Sequence, residues 1–344
     1  MGPAVAVAKV RLAVRATLRR IDLSSENQPV FVACSGGSDS LSLAAALAFE
    51  TRRRGNAGLV TVDHGLQPGS GEQAARVAQF GYDLGLDPVV VLPVRVARRH
   101  GPEADARSAR YRALDGVAAA HGAKILLGHT LDDQAETVLL GLGRGSGPRS
   151  IAGMREARGE YLRPLLGLRR EVTQAACEAL GLTPWQDPHN DDLAYQRVRL
   201  RRLLPQLEEA LQGGVAEALA RTATLLQDDL DALDELAESA LAATAGGARA
   251  SGERASSLEV PELRVLPKAI RTRVIRLWVA NASPAAALSA AQTADVEALV
   301  SNWRGQGAVD LPGGFAVVRS SGRLELIPPH GDVGPRPAPT EPDG

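Results

Sequence analysis

The chain has 344 residues, 44% of them hydrophobic, enough for about two packed cores at roughly 150 residues per domain. A formal net charge of −1 gives no whole-molecule attraction to a polyanion, so a nucleic-acid partner has to be sought in local charge. Two cysteines, Cys34 and Cys177, with no CxxC pair, argue against a zinc or iron–sulfur site built from cysteines. No signal-peptide core follows Lys9 and Arg11, and no run reaches the ~20 apolar residues of a membrane span. The expectation is a soluble, cytoplasmic protein with reduced thiols and no membrane partner.

Residues 3–21 carry Val10, Val14, Leu18 and Ile21 on one helical face. Residues 29–34 are a short apolar run that ends in a glycine turn, and residues 39–54 then read as a helix. The alternation continues: a strand to Asp63, a helix over 71–85, a strand over 88–94, a helix over 103–121, a strand over 124–128 and a helix over 132–142. Strands alternating with helices imply a parallel sheet covered on both faces. Residues 141–153 read as a flexible Gly/Ser/Arg loop, 168–182 as a helix, and 185–202 as an Asp/Asn turn followed by an arginine-rich helix. From 214 onward the apolar spacing is helical, and residues 308–327 alternate around Ser321-Gly322 as a hairpin. Residues 328–344 are proline-rich and polar.

Ser35-Gly36-Gly37-Ser38-Asp39-Ser40 lies between the first strand and the next helix. Glycines there let backbone N–H groups approach an anion, and the helix N-terminus adds positive partial charge. Asp39 repels phosphate by itself and becomes useful if it holds Mg²⁺ against the phosphates. The alternative is a plain turn with Asp39 as a helix-end acid. No Walker A ending is present. His64, in the Asp63-His64-Gly65 turn, falls at a carboxyl strand end where nucleotide contact and simple strand capping are equally open. Arg107 and Arg110 share one helix face. His129, Asp132, Asp133 and Glu136 cluster at a helix start, where they can hold Mg²⁺ or a cationic substrate, accept a proton from an amine, or only cap the helix. From 144 to 202 there are eleven arginines and seven acids, including Arg144, Arg149, Arg197, Arg199 and Arg201, a distribution suited to RNA phosphates or to an ordinary surface helix.

In order and wording these segments resemble the tRNA(Ile)-lysidine synthase family of N-type (PP-loop) ATP pyrophosphatases. The likeness runs from about residue 29 to 207 through SGGSDS, DHGLQ, EADARSARY, GHTLDDQAET, GRGSGPRSIAGM, RPLL and WQDPHN to LRRLLP, and more weakly through LPKAIRTRVIRLW and the hairpin beginning LPGG. One departure is that Val198, where the family usually has Asn, follows Arg197. The expectation is that the longer members' further C-terminal domain is missing from this chain.

The resemblance implies a Rossmann-like, doubly wound α/β sheet over residues 1–207, a smaller mainly helical domain with a terminal β-hairpin over 208–327, and a disordered tail over 328–344. It implies that ATP adenylates the carbon-2 oxygen of the wobble cytidine of a tRNA(Ile) with anticodon CAU, and that L-lysine then displaces AMP. Ser35, Gly36, Gly37, Ser38, Asp39, Ser40 and His64 are then the expected ATP contacts, with Asp39 on Mg²⁺. Asp39, Arg110, His129, Asp132, Asp133, Glu136 and Arg197 are expected at the chemistry. Arg144, Arg149, Arg199 and Arg201 are expected on the tRNA. A homodimer is left open. A related tRNA-thiolating enzyme, which needs more cysteines than this chain has, an amidotransferase-type synthetase, which needs a glutaminase domain, and a non-catalytic tRNA-binding module are the rival readings.

Overall fold

The computed structural model describes residues 2–22, 28–63, 65, 69–94, 102–145, 147–186, 192–244, 257–282 and 287–329. The expectations for His64, for residues 187–191 and for the tail from residue 330 lie outside the described residues. The chain divides into two compact units, Met1–Gln227 and Asp228–Gly344.

The first unit is built on a six-stranded sheet. Its strands are β1 (Val30–Ala33), β2 (Ala57–Asp63), β3 (Val89–Pro93), β4 (Lys124–Leu127), β5 (Ala157–Arg158) and β6 (Tyr161–Leu162), in the order β3-β2-β1-β4-β6-β5. All pairings are parallel except β5 with β6. Strand side chains alternate between faces, and β1 shows the consequence. Val32 packs with α1 (Val5–Asp22), α2 (Ser38–Thr51) and α7 (Arg170–Ala179) on one face, whereas Phe31 packs with α4 (Pro102–His121) on the other. A central strand buried on both sides reads in sequence as an unbroken apolar run. The strand order reverses between β1 and β4, and a ligand cleft is expected at the carboxyl ends of strands around such a switch point.

Three short elements were not legible in the sequence. The two-residue strands β5 and β6 are too short to show a period. Between α5 (Leu131–Arg144) and β5, the expected loop over 141–153 contains the end of α5 and a further turn, α6 (Pro148–Ile151). Gly141 permits this: a Cβ there would lie 1.9 Å from the carbonyl oxygen of Ser150. After α8 (Gln196–Ala210), the start of α9 (Val215–Thr244) buries Val215 and Ala216 with Leu131, Ala135 and Leu204. Gln227 hydrogen-bonds the carbonyls of Ala152 and Met154. The compact division falls after Gln227, within α9.

The second unit contains the rest of α9, α10 (Val260–Val265), α11 (Lys268–Ala282) and α12 (Ala290–Ser301) around Trp278, Val274, Ile275 and Val296. The expected hairpin is β9 (Ala316–Ser320) with β10 (Arg323–Ile327), turned by Ser321 and Gly322 at positive φ. Two further strands, β7 (Ser257–Glu259) and β8 (Val309–Asp310), extend it to an antiparallel sheet in the order β7-β10-β9-β8. Among the described residues, no helix is long and apolar enough to cross a membrane.

Candidate active site

The glycine turn after β1 forms an open anion cradle. Gly37 caps α2 in an extended conformation and offers no side chain to the first-turn N–H groups. Unsatisfied N–H groups at a helix start attract anions. Gly36 has φ +89, and a Cβ there would meet Gln73 Nε2 at 2.2 Å. Only glycine fits both the backbone conformation and the space. Ser40 works from inside the turn: its hydroxyl accepts the N–H groups of Ser35 and Gly36, each at 3.2 Å, and donates to the Gly37 carbonyl at 3.0 Å. Gly128, between β4 and α5, lets that connection press on the backbone of Asp39 and Ser40, where a Cβ would come within 3.2 Å. Together these turns floor a cleft of about 800 Å³, lined from the loop by Ser35, Gly37, Ser38, Asp39 and Ser40.

On the α7 side the cleft wall is acidic, and its charges are paired. Arg170 gathers three carboxylates: its Nη2 lies 2.7 Å from Asp133 Oδ1 and 3.4 Å from Glu136 Oε1, and its Nε lies 3.8 Å from Asp39 Oδ2. Thr173, one turn along α7, donates to Asp39 Oδ1. Arg201, from α8, reaches Glu136 at 3.0 Å and also lines the cleft. Asp133 closes a capping box with Thr130 at the start of α5. Burial raises its pKa, but Arg170, Thr130 and His129 outweigh that and hold it below the usual carboxylate range. Burial pushes Asp39 up to about 6; the Thr173 hydrogen bond opposes this and neighbouring Asp133 adds to it. Asp132 faces away from the cleft: it accepts the Arg170 N–H at 2.7 Å and pairs with Arg169, so it caps α7. Glu136 is 1% exposed, with Oε2 unpartnered.

On the α4 side the wall is cationic. Arg110 and His129 line the cleft, and Arg110 Nε and His129 Nδ1 are buried without hydrogen-bond partners. Burial, reinforced by Arg110, Arg163 and Arg107 and opposed by Asp133, pushes His129 down to about 3. The imidazole is therefore neutral at pH 7. Arg197 sits close enough to bear on the charge of Arg110.

The remaining expected residues spread outward. Arg144, at the end of α5, and Arg149, on α6, are exposed. Arg199 is exposed and closes its own turn on the carbonyls of Leu193 and Ala194. Sequence reasoning missed Arg169, Arg170 and Thr173. Their signal was present, since two arginines at the start of a helix are unfavourable to its dipole unless acids answer them.

The donor set fits a single Mg²⁺. Among the described residues no group of three or more His, Cys, Asp or Glu is placed to cage a metal. Mg²⁺ is commonly held by one or two carboxylates together with substrate phosphates, and Asp39 offers such a carboxylate beside the phosphate cradle.

Comparison with known proteins agrees with this geometry. The PP-loop domain matches residues 10–207 and the TilS substrate binding domain matches residues 258–325. The tRNA(Ile)-lysidine synthase of Streptomyces coelicolor is 50% identical over 356 residues, covering 95% of this chain and 99% of that protein. That of Salinispora tropica is 52% identical over 337 residues, covering 95% of this chain and 98% of that protein. That of Thermobifida fusca is 51% identical over 327 residues, covering 94% and 98%. Among solved structures, a U34-tRNA thiolase from Methanococcus maripaludis superposes with a TM-score of 0.54 at 20% identity, covering 64% of this chain and 80% of that one, a likeness of fold.

Proposed function

We infer the reaction from membership and site together: the chain belongs to the tRNA(Ile)-lysidine synthase family, and it uses ATP to join L-lysine to carbon 2 of the wobble cytidine in tRNA(Ile) with anticodon CAU. The modified base then pairs with A, so the tRNA reads AUA and accepts isoleucine. The observation that carries this reading is that the phosphate cradle and the α5 carboxylate Asp133 open onto one cleft.

Two steps use that cleft. In the first, the carbon-2 oxygen of cytidine attacks the α-phosphate of ATP and pyrophosphate leaves. The first-turn N–H groups of α2 hold the phosphates, and Arg110 offsets the charge that develops. Asp39 would hold Mg²⁺ beside the cradle, and the bound ion would supply positive charge to the phosphates. In the second, the ε-amine of lysine attacks carbon 2 and AMP leaves with the former carbonyl oxygen. Lysine arrives as a cation and must shed a proton. Ionised Asp133 is suited to hold the ammonium, Glu136 keeps Arg170 and Arg201 in place beside it, and neutral His129 offers a hydrogen-bond acceptor. Arg197 and Arg201 are assigned to adenylate or RNA, and Arg144, Arg149 and Arg199 to RNA phosphates, on their positive charge and the family resemblance.

The order of steps is testable without lysine. Purified chain, ATP, Mg²⁺ and tRNA(Ile) bearing CAU should release about one pyrophosphate per enzyme-bound tRNA, and lysine should then release AMP. Pyrophosphate release that is independent of RNA would contradict the reading.

A further inference from the structure

Three arginines on the α4 side of the first unit meet at one aromatic ring. Arg107 Cζ lies 4.8 Å from the centre of the Tyr111 ring, and its Nη2 is 3.4 Å from the Tyr111 hydroxyl. Arg110 Cζ lies 5.5 Å from the same ring. Arg163, which follows β6, is 7% exposed and bears on the Tyr111 hydroxyl. Tyr161 packs edge-on against Tyr111 at 5.0 Å and fixes its plane.

None of the three arginines has a carboxylate partner among the described residues. The hydrogen bonds of Arg163 include Nη1 to the Arg155 carbonyl at 2.8 Å, while its Nε is buried and unpartnered. Arg110 Nε is also buried and unpartnered. The nearby acids are engaged elsewhere: Asp133 with Arg170, and Asp115 with the Tyr161 hydroxyl. Buried guanidinium groups without an anion, as on Arg110 and Arg163, are costly, and a ligand phosphate would supply the missing charge. Two titrations point the same way. Burial raises the Tyr111 phenol, yet Arg107, Arg110 and Arg163 together bring it below its ordinary value. Burial lowers Arg110, Tyr111 opposes this, and Arg107 and Arg197 add to it.

We propose that Arg107, Arg110 and Arg163, gathered around Tyr111, form a second phosphate-binding site that meets the cleft at Arg110 and is distinct from the glycine-rich cradle. Its ligand is a phosphate group, carried either by the departing pyrophosphate or by the RNA backbone. Arginine forks suit both, because each offers paired N–H donors to phosphate oxygens. The inference rests on the ATP- and RNA-dependent reaction above, but its test separates from that reaction.

The test uses the full chain with Arg107→Gln and Arg163→Gln. Arg107 is exposed, so its replacement leaves the fold intact even if the buried Arg163 variant folds poorly. Inorganic pyrophosphate binding is measured by calorimetry, and binding of tRNA(Ile) with CAU is measured over a salt series. If the site takes pyrophosphate, its Kd rises about tenfold per variant, the worth of one charge-assisted hydrogen bond, and tRNA binding is unchanged. If it takes RNA phosphate, tRNA Kd rises similarly and the salt slope falls by about one per arginine. Either result supports the site. Unchanged binding of both ligands to folded Arg107→Gln overturns it. Failure of the wild-type chain to ligate lysine would refute the proposed reaction while leaving the pyrophosphate result interpretable.

Discussion

The two walls of the cleft use the same residue type in opposite ways. On the α7 side, Arg170 and Arg201 are each answered by a carboxylate within 3.0 Å. On the α4 side, Arg110 lines the cleft and shares the Tyr111 ring with Arg107 and Arg163, and none of the three has an acid partner among the described residues. Paired charges in a half-buried wall fix geometry, because removing one partner strands the other. Unpaired charges of one sign hold capacity for a ligand. The comparison thus separates a wall that positions Asp39 and Asp133 from a wall that waits for phosphate.

Changes on the two walls should differ in kind. The largest loss is expected at the point where the paired wall meets the cradle. Asp39→Asn should lower the rate of pyrophosphate release by about 10²–10³-fold, the scale of removing one preorganised electrostatic contact. Arg170→Met leaves Asp133 without its cationic partner and should cost about 3 kcal/mol of stability in denaturant titration, alongside activity. If Arg170→Met were as stable as wild type, the pairing would not be what fixes that wall.

A third change reads the cationic wall by pH. The folded pKa of His129, at about 3, lies below its unfolded value of about 6.5. Between those values the unfolded chain binds the proton and the folded chain does not, so His129 subtracts stability as pH falls. Asp39 acts oppositely: its folded pKa of about 6 exceeds the unfolded value of about 3.9, so it adds stability as pH falls through that window. His129→Asn removes the first effect and leaves that of Asp39 in place. Relative to wild type, the variant should gain about 1.4 kcal/mol per pH unit on acidification from ~6 toward ~4. Parallel stability curves for the two proteins would show that His129 is not buried neutral. The smallest effect is expected far from both walls. Arg15, paired with Glu50 on the α1–α2 surface, should tolerate Ala with no change in pyrophosphate release.

Much of this was legible in the sequence, for physical reasons. The strand–glycine–helix run around residues 30–51 can hardly be anything but the start of a parallel sheet, and it placed the cradle directly. The acids of α5 were found because they sit together in sequence. What they do was not, since Asp132 and Asp133 are neighbours that point to different partners: one caps α7 and the other lines the cleft. Arg170 and Thr173 were hidden in an ordinary amphipathic helix, and their meaning appears only when α7 packs beside α2. Arg163 was visible within RPLL, but its lack of an acid partner is a property of the fold. Ser40 illustrates the same limit: its type suggested a phosphate donor, and the turn shows its hydroxyl engaged by the loop itself.

The central claim is that the cradle and the carboxylate wall serve one reaction. Labelled L-lysine, ATP and Mg²⁺ incubated with the purified chain should give acid-precipitable label in tRNA(Ile) bearing CAU and none in elongator tRNA(Met). Asp133→Asn should abolish the label while pyrophosphate release persists. Label in neither RNA with the wild-type chain, or full lysine transfer by Asp133→Asn, would contradict the account.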